Sequence, residues 1–192
     1  MIDPDDIDPD DIDPELLARF REYERRKEEK SSKRKERSEE INQKWGQLEQ
    51  KLLAALEQNV GAYKWVAEGP VPGGTGYLDI RGRAPVSGRW VGIELEKDRT
   101  TCVRNVNKVW MAIDRAPTDI VLIQIFSPVF DENTKNTTKK QGAAEAKFIG
   151  SKAAVDTCGH LAYVPMQVKH WPSEDLTLVR ELVDSIRPLL PQ

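Results

Sequence analysis

Residues 77–97 have the sequence YLDIRGRAPVSGRWVGIELEK, and this stretch predicts two strands joined by a turn. Successive side chains of a strand point to opposite faces, so the apolar positions show which face is buried. In the second strand Val91, Ile93 and Leu95 share one face, and the two glutamates lie on the other face with the tryptophan that begins the strand. The pattern therefore predicts a strand that packs on a helix with one face and presents carboxylates on the other.

The acidic residues of both strands are expected to gather on the polar face. In the first strand Leu78 and Ile80 share a face, and Asp79 lies on the opposite one. If the strands pair, Asp79 comes close to Glu94 and Glu96, because facing residues on paired strands are about 5 Å apart. Carboxylates this close repel one another unless a counter-charge is present, and Mg²⁺ prefers such oxygen ligands. The pattern predicts a metal site; the alternative is an acidic face exposed to solvent and paired with basic side chains.

The remainder of the globular part predicts an alternation of helices and strands. Apolar spacing indicates a helix before the two strands, and a nearly continuous apolar run after them is typical of a buried strand. The predicted order is helix, three strands, helix, strand, helix, strand, helix, which indicates an α/β fold with a mixed sheet covered by helices on both faces. The predicted strands are 62–67, 77–81, 89–97, 119–127 and 161–168. The first predicted helix ends near residue 58, the second covers 101–114 with Thr101 as its cap, and the third covers 142–156. A polar loop at 131–141 precedes the third helix, and the last helix starts at residue 172.

The N-terminal part has a different composition. Residues 1–13 contain seven Asp and no basic residue, which predicts a disordered acidic repeat, either a solubilising tail or a DNA-mimicking or partner-docking arm. Residues 14–44 predict a charged helical extension, with Ser31-Ser32 as its candidate break. Within it, residues 25–37 contain eight basic and three acidic side chains, typical of a solvated helix or a phosphate-binding stripe. A globular domain is expected to cover 45–192.

Bulk composition limits the classes of protein. The 192 residues, 39% hydrophobic and 32% charged, suit one domain with an extension. The net charge of −3 is the sum of −7 in the acidic repeat and +4 in the rest of the chain. Because the two parts have opposite charge, the net charge does not indicate a partner. Cys102 and Cys158 lack a metal-type spacing and indicate a reduced, intracellular protein, cytoplasmic or nucleoid-associated. No apolar stretch is long enough to span a bilayer, so no membrane partner is expected.

The sequence resembles the PD-(D/E)XK nuclease superfamily over roughly residues 45–170. The resemblance depends on Asp79, on Glu94-Leu95-Glu96-Lys97 about fifteen residues later, and on the segment NVNKVW at 105–110. It implies a restriction endonuclease-like αβββαβ core and hydrolysis of DNA phosphodiesters that depends on Mg²⁺, with Mn²⁺ as a substitute. It also implies that Asp79 and Glu94 are metal ligands.

Two positions depart from the family pattern. Leu78 stands where the motif has proline, and Glu96 stands at the position of its lysine. Some restriction enzymes of the superfamily carry Glu-x-Glu there, with the second glutamate helping to activate water; others take a lysine from the following helix. Lys108 is the candidate for that lysine, with Asn105 one turn before it on the same helix face.

Further candidates surround this centre. Glu49 borders the apolar stripe of the helix before the strands, where the superfamily often has an acidic residue near the metal; a solvated glutamate is the alternative. Gln124 is the only polar residue inside the apolar strand, and it either faces the site or satisfies a hydrogen bond in the core. Basic side chains near the turn between the strands and in the polar loop are candidate DNA phosphate contacts. They are Arg81, Arg83, Arg89, Lys135, Lys139 and Lys140.

Three functions fit these observations. The first is a Mg²⁺-dependent DNA endonuclease with Asp79, Glu94, Glu96 and Lys108 as catalytic residues. The second is an inactive nuclease-fold module that acts as a DNA- or protein-binding assembly subunit. The third is a helical interaction protein, in which the N-terminal extension joins a homodimer or a partner subunit. The first two share a fold, so the geometry of the site has to separate them.

Overall fold

The computed structural model describes residues 14–97, 99–130, 137–172 and 176–191, except for the side chains of residues 99–100 and 137–139. The predicted acidic repeat and Lys135 lie outside this part of the chain. The chain divides into two compact units, Met1–Gln43 and Lys44–Gln192. No helix in the described ranges is sufficiently long and apolar to cross a membrane.

The first unit contains most of the charged helical segment. Helix α1, Pro14–Asn59, begins here and ends in the second unit. Oppositely charged side chains three or four residues apart lie side by side on a helix, and ion pairs of Glu22 with Arg25 and Arg26, and of Glu29 with Lys33, follow this spacing. The helix continues through Ser31 and Ser32, so the candidate break is not present. The segment is helical because its charges alternate in sign at helical spacing.

The second unit is an α/β fold built on a five-stranded mixed sheet, as the sequence predicts. The strands lie in the order β1-β2-β3-β4-β5; the first three are antiparallel, and β3, β4 and β5 are parallel. Helices alternate with strands in the second half of the chain. The elements are β1 Val66–Pro70, β2 Tyr77–Arg83, β3 Trp90–Glu96, α2 Arg99–Arg115, β4 Ile120–Phe126, α3 Thr137–Asp156, β5 Leu161–Gln167 and α4 Thr177–Ile186, with short 3₁₀ turns at Pro128–Phe130 and Arg187–Leu189.

Helices cover both faces of the sheet. Val91, Ile93 and Leu95 of β3 pack in one cluster with the end of α1 and with α4, which confirms the predicted apolar face. The opposite face packs on α2 and α3. All seven residues of β4 are buried, as expected for an interior strand, because both faces of β4 are covered.

Several predicted boundaries are wrong. Strand β1 starts at Val66 rather than at residue 62, because Tyr63 and Trp65 stack on each other (ring centroids 5.2 Å apart) and Trp65 bonds to the carbonyl of Val60. Pro70 ends the strand, which is tolerated because β1 is an edge strand. Helix α2 begins before Thr101, so Thr101 is not its cap. Pro172 precedes α4 instead of starting it, since that helix begins at Thr177.

Helix α3 also begins earlier than predicted, at Thr137. Lys139 and Lys140 therefore lie in a helix rather than in the predicted loop at 131–141. Asparagine, threonine and lysine made this segment look like a loop, but lysine is also a good helix former, so polarity alone is a weak signal here.

Strand β2 is irregular at its first residues. Ile80 packs in the cluster on the α1 side, whereas Leu78 packs on the α2 side, so the prediction that they share a face is wrong. The pairing of β2 with β3 begins only at Ile80↔Ile93. On the other side of β2, Glu68 of β1 has a φ of +45°, and it lies between the pairs Ala67↔Ile80 and Gly69↔Leu78. Strict alternation requires a regular paired strand, and this condition fails around Asp79.

Candidate active site

Asp79 lies where β2 and β3 separate. Its Oδ2 accepts a hydrogen bond of 2.6 Å from the backbone N–H of Leu95. The carboxylate thus satisfies an N–H in the stretch where the strand ladder has ended, and this bond holds Asp79 beside the end of β3. Burial raises the pKa of Asp79, and the N–H of Leu95 and the charge of Lys108 oppose the rise.

Glu94 and Lys108 form a buried ion pair. Lys108 Nζ, from α2, lies 2.6 Å from Glu94 Oε1, and the glutamate side chain is only 1% exposed. Oε1 has Lys108 as its charge partner, and no other donor among the described residues hydrogen-bonds to it. Burial, with the nearby charge of Asp79, raises the pKa of Glu94 to about 8, although Lys108 opposes the rise. The predicted helix lysine therefore reaches the predicted metal ligand.

Glu96 is fully buried and accepts hydrogen bonds from neutral donors. Its Oε1 accepts hydrogen bonds from Gln124 Nε2 (2.6 Å) and Asn105 Nδ2 (2.9 Å), and its Oε2 accepts one from the hydroxyl of Thr101 (3.0 Å). Burial raises the pKa of Glu96, and these three bonds oppose the rise. Gln124 accepts in turn from the hydroxyl of Tyr163 at 2.6 Å.

Asn105 links Glu96 to Lys108 through its side-chain amide. Its amide nitrogen donates to Glu96, and its Oδ1 accepts a hydrogen bond of 3.1 Å from Lys108 Nζ. Lys108 also donates to the backbone carbonyl of Tyr77. A continuous chain of hydrogen bonds therefore runs from Tyr163 through Gln124, Glu96 and Asn105 to the lysine, and it holds the ammonium group beside Glu94.

The predicted cluster of three carboxylates is not formed. Across the described residues, no three His, Cys, Asp or Glu side chains are placed to hold one metal ion. Both oxygens of Glu96 already accept hydrogen bonds from α2 or β4. Asp79 and Glu94 lie outside that set of bonds, and Mg²⁺ is usually bound by only one or two carboxylates with waters and substrate phosphate. These two residues fit that smaller ligand set, since no donor other than Lys108 hydrogen-bonds to Glu94 Oε1 among the described residues.

Glu49 lies on α1, half-buried, on the side of Asp79. Its pKa is raised first by burial and then by the negative charges of Asp79 and Glu68, whereas Lys97 lowers it. The charges of Glu49 and Asp79 therefore act on each other. Lys97 lowers the pKa of both, so this exposed lysine provides part of the counter-charge on that side.

The arginines near the turn between β2 and β3 contact other side chains. Arg81 and Arg83 both stack over Trp90, with 4.7 and 4.9 Å between guanidinium carbon and ring centroid. Arg89 pairs with Asp119 at 3.3 Å, and Asp119 also contacts His160. Trp90 starts β3 and Glu94 lies four residues later, about 13 Å along the strand. Among the described residues these arginines contact Trp90 or Asp119, and none of them forms an ion pair with Asp79 or Glu94.

Of the predicted lysine contacts, only Lys140 has a described side chain, and it is exposed on α3. A cleft of about 160 Å³ instead brings other basic residues to Lys108. Arg104 and Arg115 of α2 line it, and the sequence analysis missed them. The signal was available, because residues 104, 108, 111 and 115 share one face of a helix. The cleft is completed by Gly74, Thr75, Asn107 and Ala112.

No protein-family model matches the chain, and comparisons with curated proteins and with solved structures find no match either. The functional conclusion therefore depends on the fold and on the geometry around Glu94.

Proposed function

We propose that this protein is a Mg²⁺-dependent DNA endonuclease with a restriction endonuclease-like core. Three antiparallel strands followed by a helix and a parallel strand support the proposed core. The single observation that carries the function is the 2.6 Å contact between Lys108 Nζ and Glu94 Oε1. It joins a lysine from the following helix to the acidic residue that the family resemblance marks as a ligand.

Asp79 and Glu94 would hold the metal, which when bound polarises a phosphoryl oxygen and lowers the pKa of a water molecule. The protein supplies the remaining functions. The ammonium group of Lys108 can orient a water molecule by hydrogen bonding and can stabilise negative charge that develops on the phosphate. The bonds from Lys108 to Asn105 and to the carbonyl of Tyr77 fix that group before the substrate arrives.

Glu96 has a different role from the one predicted for it. A carboxylate that already accepts three hydrogen bonds in a buried site is poorly placed to take a proton from water. In this proposal Glu96 anchors Asn105, and Asn105 positions Lys108. The Glu-x-Glu sequence is then consistent with a working site, because the lysine comes from α2.

One observation favours the second candidate function, an inactive nuclease-fold module that binds DNA or protein. Glu94 and Lys108 neutralise each other in a buried ion pair, and such a pair can be purely structural. The two candidates differ in one outcome: only the endonuclease cuts DNA.

Cleavage of supercoiled plasmid DNA by the full-length protein tests the proposal. We expect nicking or cutting with Mg²⁺ or Mn²⁺ and none with a chelator. Asp79→Asn and Glu94→Gln should each lower the rate by at least about 100-fold, because each removes a ligand charge. Glu181→Gln, which removes a carboxylate exposed on α4, is the matched control and should cut normally. Cleavage that survives both site substitutions would contradict the assignment.

A further inference from the structure

The cleft beside Lys108 has a rigid wall and a basic floor. The loop at 71–76 forms the wall, closed by backbone bonds from Val71 N–H to the Gly76 carbonyl and from Gly74 N–H to the Val71 carbonyl. Gly74 packs so closely on α2 that a Cβ there would overlap the Cβ of Ala112. The floor is the outer face of α2, which presents Arg104 and Arg115.

The charges of this cleft are available to a ligand. Arg104 and Arg115 are both exposed, and neither makes an ion pair or a side-chain hydrogen bond within the described ranges. Among the residues that the structure describes, no acidic side chain lines the cleft. By contrast, Arg89 pairs with Asp119, and Arg81 and Arg83 cover Trp90. Uncompensated guanidinium groups on a concave surface are suited to phosphate groups, which they bind in a bidentate manner.

The cleft and the candidate active site share Lys108. Lys108 lines it between the two arginines, and the same ammonium group contacts Glu94. Arg104 and Arg115 are eleven residues apart, about 16 Å along the helix axis. A nucleic-acid strand lying along α2 could therefore present phosphates to both arginines and pass Lys108 between them.

We propose that this cleft is the DNA-backbone site of the protein, with Arg104 and Arg115 bound to phosphates on either side of the bond presented to Asp79, Glu94 and Lys108. The proposed function supplies the identity of the ligand. Asn107 and the side chain of Met111, which is 55% exposed, lie between the arginines and can contact sugars. Phosphate contacts of this kind give affinity and register without reading sequence.

Binding of a fluorescein-labelled 20-base-pair DNA duplex, followed by anisotropy in a chelator, tests the site without any cleavage. The full-length double variant Arg104→Ala/Arg115→Ala should weaken binding at least about tenfold. It should also reduce the slope of log affinity against log salt by about 2, since each phosphate contact contributes roughly 0.9. The control Lys64→Ala/Arg180→Ala removes the same charge from exposed positions outside α2 and should leave both quantities nearly unchanged.

The outcomes separate this inference from the proposed function. Wild-type affinity in the α2 variant, equal loss in the control, or no DNA binding by the wild type would each overturn the site. Arg104→Gln/Arg115→Gln, with a thermal melt, shows whether any loss comes from unfolding. Binding that requires both arginines in a protein that never cuts DNA would support the cleft while contradicting the endonuclease.

Discussion

At the scale of single residues, the chemistry of the centre depends on how Glu94 carries its charge. A buried carboxylate is costly to ionise, and Lys108 offsets only part of that cost, since the pKa of Glu94 stays near 8. Glu94 therefore becomes the anionic partner of Lys108 only at a higher pH than an exposed glutamate would. Under the proposed function the metal ligand is the ionised form, so affinity for Mg²⁺ should increase as the pH rises.

The first prediction concerns stability in a chelator. The folded protein holds the Glu94 proton more tightly than the unfolded chain, where the pKa has its ordinary value of 4.5. The contribution of this residue is therefore present in full below pH 4.5 and is lost as the pH rises through about 8. Glu94→Gln stays neutral, so its melting temperature should gain on that of the wild type between pH 5 and pH 9. A difference in melting temperature that does not vary with pH would contradict this.

At the scale of secondary-structure elements, the site depends on an irregular stretch of β2 and on close packing of a loop against α2. The separation of β2 from β3 places Asp79 at the N–H of Leu95, and the loop at 71–76 brings the stem of Lys108 against Gly76. Gly76 has a φ of +93°, a conformation that glycine adopts at little cost. The position of Lys108 is thus fixed from the loop side as well as from Asn105.

The second prediction uses two glycines with opposite surroundings. Gly74→Ala should destabilise the protein by about 1–3 kcal/mol, because its Cβ would overlap that of Ala112. Gly46→Ala should stabilise it by about 0.5–1 kcal/mol, because Gly46 lies in α1 with nothing within 4 Å of a new Cβ. Chemical denaturation of both variants measures these changes. Equal effects at the two positions would show that the loop does not pack on α2 as described.

At the scale of the whole molecule, the order of the strands and helices could be predicted because each has a clear periodicity. Val91, Ile93 and Leu95 indicate the buried face of β3 without knowledge of their partners. The distribution of Leu78 and Ile80 over two clusters could not be predicted, since it depends on where strand pairing begins. Long-range pairing also decides which groups surround a side chain, and sequence spacing carries little information about it.

In the candidate site, too, some features could be predicted from the sequence and others depend on long-range contacts. The family resemblance makes Lys108 the candidate lysine from the helix after β3, and the structure places it at Glu94. The environment of Glu96 could not be predicted, because its donors come from two elements and Gln124 is 28 residues away in sequence. Arg104 and Arg115 carry a helical spacing, yet their cleft exists only because the loop before β2 packs on α2.

The central claim is that Lys108 of α2 completes a working phosphodiesterase site with Asp79 and Glu94. Plasmid cleavage with Mg²⁺ by full-length wild type, Lys108→Met and the exposed-lysine control Lys169→Met tests it most directly. We predict that the wild type and Lys169→Met cut at equal rates and that Lys108→Met is at least about 100-fold slower while still folded. Cleavage by Lys108→Met at the wild-type rate, or a wild type that does not cut, would contradict the claim.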